Sequence, residues 1–114
     1  MTRKLVWYSH RYTCGGTATP EERAENLRRA RERFEQMRVE LLAGRGEILW
    51  APWIQMAEAG VPDIDVWPAI SYLIPMCRAI VVDMDGGPEA KGQEAEREMA
   101  EGHGAEVRVV KWAA

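Results

Sequence analysis

The 114-residue sequence predicts an α/β fold: a three-layer sandwich with a parallel sheet of four to five strands between layers of helices. Two observations predict it. Short apolar runs alternate with longer stretches of helical period, in the order strand, helix, strand, helix, strand, helix, strand. Glycine, proline and capping residues fall at the joints between them. Alternation of this kind implies parallel strands joined by crossover helices that cover both sheet faces. No internal repeat or linker divides the chain, and its length predicts one domain over residues 1–114 that buries roughly two-thirds of its extended surface.

Each element has its own signal. Lys4–Ser9 (KLVWYS) is an apolar, aromatic-rich run that predicts a buried strand. His10–Thr19 follows as a loop bent at Gly15-Gly16. Thr19, Pro20 and Glu22 form a helix start: a cap, a proline at the first helical position and a capping-box acid. The helix runs to about Ala43, with Ala24, Leu27, Ala30, Phe34, Met37 and Leu41 on one core-facing stripe. Its other surface mixes six Arg with six Glu between residues 20 and 40, in pairs such as Glu25–Arg29 and Arg31–Glu35, and reads as a solvated ion-paired face. Gly44 and Gly46 end it.

Glu47–Ala51 predicts the second strand, closed by Pro52. Trp53–Gly60 predicts a short helix. A further helix spans Val66–Met76, capped by Asp65, with Pro68 in its first turn and an early end at Pro75. Ala79–Met84 is the third strand. Asp85–Lys91 is a loop, and a helix opens near Gly92 and stops at Gly102 and Gly104. Ala105–Trp112 is the last strand.

Composition narrows the function. Apolar residues at 46% and charged residues at 29% are ordinary for a soluble globular protein. A formal net charge of −3 argues against gripping nucleic acid by charge. No apolar run approaches the roughly 18 residues of a membrane span, and MTRKLVWYSH does not read as a signal peptide. The expectation is a cytoplasmic protein that binds neither nucleic acid nor membrane. Cys14 and Cys77 lack metal spacing and read as reduced thiols. Five Trp in so short a chain point to core packing more than to an interface.

Open parallel sheets bind ligands beyond the carboxyl ends of the strands, where the strand order reverses. With a 2-1-3-4 order that crevice lies between the loops His10–Thr19 and Asp85–Lys91. On the helix after the second of these loops, residues 94, 97, 98 and 101 are charged, whereas Gly92, Ala95, Met99, Ala100 and His103 form the inward face. Glu96 is the only acid on that inward face. Two roles stay open for it: a carboxyl tuned by burial for acid–base or nucleophilic work, or a helix Glu whose stem packs while its head reaches water. Asp83 and Asp85 bracket Met84 at the end of the third strand, where acids bind ribose hydroxyls or a metal, or sit in a solvent-facing turn. DMDGG lacks the spacing of a calcium loop. His10, Arg11, Tyr12, Thr13, Gly15 and Gly16 offer a cation, hydroxyls and backbone donors suited to a phosphate or sugar, without the spacing of a P-loop or a dinucleotide fingerprint. His103 reads as a helix terminator, and no Cys/His cluster predicts a metal.

The succession YSHRYT, then Asn26 and Arg29-Ala30, then GEILWAPW, CRAIVV and AKGQEAE, resembles the nucleoside 2-deoxyribosyltransferase-like superfamily, in particular its short phage and prophage members. The resemblance implies a Rossmann-like or flavodoxin-like sheet, no cofactor, a nucleoside or nucleoside 5′-monophosphate as ligand and a homo-oligomer. It also implies a motif S-x-G-x-x-x-E whose Glu attacks the anomeric carbon. Gly92 and Glu96 stand on its Gly and Glu, while Ala90 replaces its Ser. Where the family carries an Asp that handles the base, this chain has Ser71, with Asp63 and Asp65 upstream. The first loop carries His10 where the family commonly has Gly. Three functions follow as alternatives. The first is N-glycosidic cleavage or transfer by Glu96 assisted by Asp85, with the first loop, Ser71, Asp83 and Gly92 on the substrate. The second is a nucleotide-sensing module with weakened chemistry. The third is a structural protein that oligomerises on the same fold.

Overall fold

The computed structural model describes residues 4–12 and 17–111, apart from the side chain of residue 64. Thr13, Cys14, Gly15, Gly16 and Trp112 lie outside the described residues. Four strands, β1 (Leu5–Ser9), β2 (Ile48–Trp50), β3 (Ala79–Asp83) and β4 (Glu106–Val110), form one sheet of order β2-β1-β3-β4. Every pairing is parallel. The helices are α1 (Pro20–Arg45), α2 (Pro52–Glu58), α3 (Asp63–Leu73) and α4 (Lys91–Gly102), with a 3₁₀ turn at Ile74–Met76. The predicted doubly wound α/β architecture is the observed one.

Strand alternation divides the core between two faces. Val6, Tyr8, Ala79 and Val81 point to one face, where α1 lays Ala30 and Met37 on them and Leu27, Phe34 and Leu41 pack alongside. Trp7, Ile80 and Val82 point to the other, under Trp53 of α2, Val66 and Ile70 of α3 and Ala100 of α4. Ala24, expected on the α1 stripe, is exposed. Four of the five Trp belong to the second face, where Trp7 meets Trp50 edge-on at 5.7 Å and Trp53 meets Trp67 at 5.2 Å. Aromatic edges of this kind add packing energy beyond their burial. Among the described residues, no helix is long and apolar enough to cross a membrane.

The helix ends follow their chemistry. Thr19 Oγ1 accepts from the Glu22 amide at 3.1 Å, and Glu22 accepts from the Thr19 amide at 2.9 Å, completing the capping box. At its other end α1 runs through Gly44 and stops at Gly46, whose φ of 65° closes the helix in a left-handed turn. Two expectations need correction. Asp65 does not cap α3: the helix begins at Asp63 after Pro62, placing both acids in its first turn. Pro68 therefore lies inside α3, where its missing N–H leaves one gap in the ladder. Pro75 ends the helix early, as expected, by turning it into the 3₁₀ turn. On α1, Arg28 pairs with Glu25 and Glu32 along the surface, but Arg29 and Arg33 leave that face to grip the loop after β3.

Candidate active site

The crevice between β1 and β3 is organised by α4. Gln93, in its first turn, donates from Nε2 to the backbone carbonyls of Ser9 and Asp83 and so ties together the ends of both strands. Its Oε1 accepts from the Ala90 amide at 3.0 Å, anchoring the helix start where Ala90 itself has no capping side chain. One turn on, Glu96 enters the sheet surface and is buried at 2% exposure.

Its carboxylate meets three neutral donors. Ser9 Oγ donates to Oε1 at 2.9 Å. The indole N–H of Trp53 at 2.9 Å and that of Trp7 at 3.1 Å both donate to Oε2. Burial pushes the Glu96 carboxyl up to about 7, and the bonds from Ser9, Trp53 and Trp7 oppose that rise. Removing water penalises the charged form more than these dipoles restore it. A pocket of about 20 Å³ opens above the carboxylate, lined by His10, Tyr12, Trp53, Trp67, Ala90, Gly92, Gln93 and Glu96. That is room for about one water.

The other sequence-predicted residues are distributed around this centre. His10 and Tyr12 line the pocket, as does Gly92 opposite the Trp67 ring. Arg11 reaches across the crevice from its own loop to the carbonyls of Met84, at 3.3 Å, and Pro88. A Cβ at Gly87 would sit 2.6 Å from its guanidinium, so the loop after β3 leaves a space that Arg11 fills. Asp83 and Asp85 are on the α1 side of the sheet, away from Glu96. Asp83 accepts from the Tyr8 hydroxyl at 2.5 Å and lies 3.5 Å from Arg33. Asp85 pairs with Arg29 at 2.6 Å and with Arg33, and holds a left-handed φ of 51°. Ser71 is exposed and donates to the Pro68 carbonyl one turn back in α3. Among the described residues no group of three His, Cys, Asp or Glu is arranged to hold a metal.

Ser9, Gln93, Trp7, Trp53 and Trp67 are site residues that sequence reasoning left out. A signal existed for Trp53. It stands directly after Pro52 at the carboxyl end of β2, where the same strand-end rule that selected the β1 and β3 loops applies. Trp67 had no local signal, since only the packing of α3 against α2 brings it over the pocket.

No model of a known protein family matches the sequence, and no curated protein matches it. A solved structure of a 2-desoxiribosyltransferase from Leishmania mexicana is similar in fold, with a TM-score of 0.63 at 15% identity. The likeness covers 95% of this chain and 64% of that one. The chain thus spans less than two-thirds of that neighbour's length and shares its Rossmann-like architecture.

Proposed function

We propose that the protein acts on the N-glycosidic bond of a nucleoside or nucleoside 5′-monophosphate with Glu96 as nucleophile, as a short member of the nucleoside 2-deoxyribosyltransferase-like superfamily. One observation carries the reading. Glu96 is a fully buried acid at the strand-end crevice, held by three neutral donors and, among the described residues, by no cation. Such a carboxylate has little charge stabilisation while free, and forming an ester removes the charge altogether. An electrophilic anomeric carbon therefore relieves the burial penalty as it reacts. A Glu96 oxygen bonds to the carbon as the C–N bond breaks, its electron pair leaves on the base nitrogen, and that nitrogen takes a proton from solvent. Water, or a second base, then displaces Glu96 and restores the carboxylate.

Ser9, Trp7 and Trp53 are positioning residues in this scheme, aiming Glu96 without touching the sugar. Tyr12, Trp53 and Trp67 offer aromatic faces to the base. Gly92 and the uncapped amino end of α4 suit the sugar or a 5′-phosphate, with Thr13, Gly15 and Gly16 of the first loop as further contacts. Asp85 supports the site by fixing the loop to α1 rather than by assisting the chemistry. The fold likeness to a 2-desoxiribosyltransferase supports the substrate class. The reading needs no cofactor, and a homo-oligomer belongs to it, tested by light scattering.

The sensing module is the second reading. It is favoured by Ala90, which puts no hydroxyl at the pocket rim, and by Ser71, which faces solvent. Free base is measured by chromatography after incubation with nucleosides and 5′-monophosphates. The enzyme reading expects release, reduced by roughly 10³-fold or more in Glu96→Ala. Stabilisation by nucleotides without release supports the sensor. No response to any of them contradicts both.

A further inference from the structure

His10 holds a buried nitrogen that nothing in the mechanism above uses. Its side chain is 7% exposed and forms part of the wall of the Glu96 pocket. Nδ1 lies 3.0 Å from the Arg11 carbonyl oxygen. A carbonyl oxygen only accepts, so Nδ1 carries the ring hydrogen and Nε2 is a bare lone pair. Stacking on Tyr8, with centroids 5.2 Å apart, fixes the ring plane. Burial holds the imidazole below its usual range, against the opposing pull of the Arg11 carbonyl and Asp83, and so keeps the ring neutral. Among the described residues, Nε2 is buried without a hydrogen-bond partner. Buried polar atoms almost always have partners, because leaving one unmade costs free energy.

We propose that His10 Nε2 accepts a hydrogen bond from a sugar hydroxyl of the bound nucleoside, making His10 a specificity-determining residue. This rests on the reading of Glu96 as the group that attacks the anomeric carbon. The partner must be a donor, which excludes a phosphate dianion. The ring stacks on Tyr8 toward the α1 side but shares the pocket wall with Gly92 and Glu96, so the imidazole borders the sugar end of the pocket. The aromatic walls of Trp53 and Trp67 leave the base on the other side. A sugar hydroxyl that reaches Nε2 supplies the partner that the buried nitrogen lacks among the described residues.

The test compares base release from purine and pyrimidine ribonucleosides with release from their 2′-, 3′- and 5′-deoxy analogues, using the wild type, His10→Phe and His10→Gln. In the wild type, loss of one hydroxyl lowers kcat/KM by about ten- to a hundredfold. That discrimination collapses in His10→Phe and partly returns in His10→Gln, whose amide oxygen accepts. The melting temperature of His10→Phe stays level or rises, since no orphaned nitrogen remains. On the wild type alone, the ¹⁵N resonance of Nε2 moves when the hydroxylated nucleoside binds and stays put with the matching deoxy analogue. His103 is the only other histidine, which keeps the spectrum assignable. Base release with unchanged hydroxyl discrimination in His10→Phe, or an unmoved Nε2 resonance, overturns this inference and leaves Glu96 standing. A wild type that neither cleaves nor binds any nucleoside overturns the Glu96 reading, and this inference with it.

Discussion

Two buried carboxylates at opposite ends of the sheet solve the same problem differently. Glu47, just before β2, is 2% exposed and takes a bidentate grip from Arg108 of β4 at 2.7 and 2.9 Å, with Arg78 at 3.4 Å. It therefore links the two edge strands beneath α1. The Arg108 guanidinium holds its carboxyl below the usual carboxylate range, against the opposing effect of burial. Glu96 is likewise 2% exposed but lies deeper in the protein, its partners among the described residues are a hydroxyl and two indoles, and its carboxyl is raised to about 7. Full charges compensate the first acid; the second has only dipoles. The acid that holds strands is paired with full charges, while the acid proposed to react is met by neutral dipoles.

The largest stability effect expected from breaking this contrast is at Glu47. Glu47→Ala leaves the largely buried Arg108 without its main counter-charge and should cost about 3 kcal/mol, read by urea unfolding. A neutral result would mean that the pair is solvated and the contrast empty. Glu96→Gln should act in the opposite direction. Between the unfolded value of 4.5 and about 7, the folded protein binds the proton at Glu96 more tightly than the unfolded chain does. Stability therefore falls as pH rises through that window, by about 3 kcal/mol once it is passed. Glu96→Gln removes that loss, so the variant should equal the wild type near pH 4 and exceed it by up to that amount near pH 8. Glu47 has the reverse sign: its contribution is present above the unfolded value and is lost as pH falls through its lowered one. A smaller effect is expected at Trp53. Trp53→Phe deletes one donor to Glu96, so the apparent pKa in the pH profile of kcat/KM should rise above the wild-type value. An unchanged profile would remove Trp53 from the site's electrostatics.

Much of this was legible in the sequence, and for definable reasons. The order of elements, the Thr19–Glu22 box and the Gly46 stop are local chemistry, and local chemistry survives folding. Glu96 could be read because helix periodicity separates one inward acid from its charged neighbours. Gln93 escaped the same count because its amide turns inward to bridge two strand ends, a use that exists only after β1 and β3 pair. The pairing of Asp85 with Arg29 and Arg33 spans half the chain, and surface pairs along α1 were the simpler expectation. For Ser71 the sequence offers only a position relative to β3, and the turn of α3 directs it to solvent.

The central claim is that Glu96 forms a bond to the sugar. Incubation with 2′-fluoro-2′-deoxyarabinosyl nucleosides, followed by intact-mass analysis and peptide mapping, tests it most directly, because fluorine beside the anomeric carbon slows loss of the glycosyl group from the carboxylate. One glycosyl unit is expected on the wild-type protein, mapped to Glu96, and none on Glu96→Gln. Release of base that continues undiminished in Glu96→Gln, or an adduct on another residue, would contradict it.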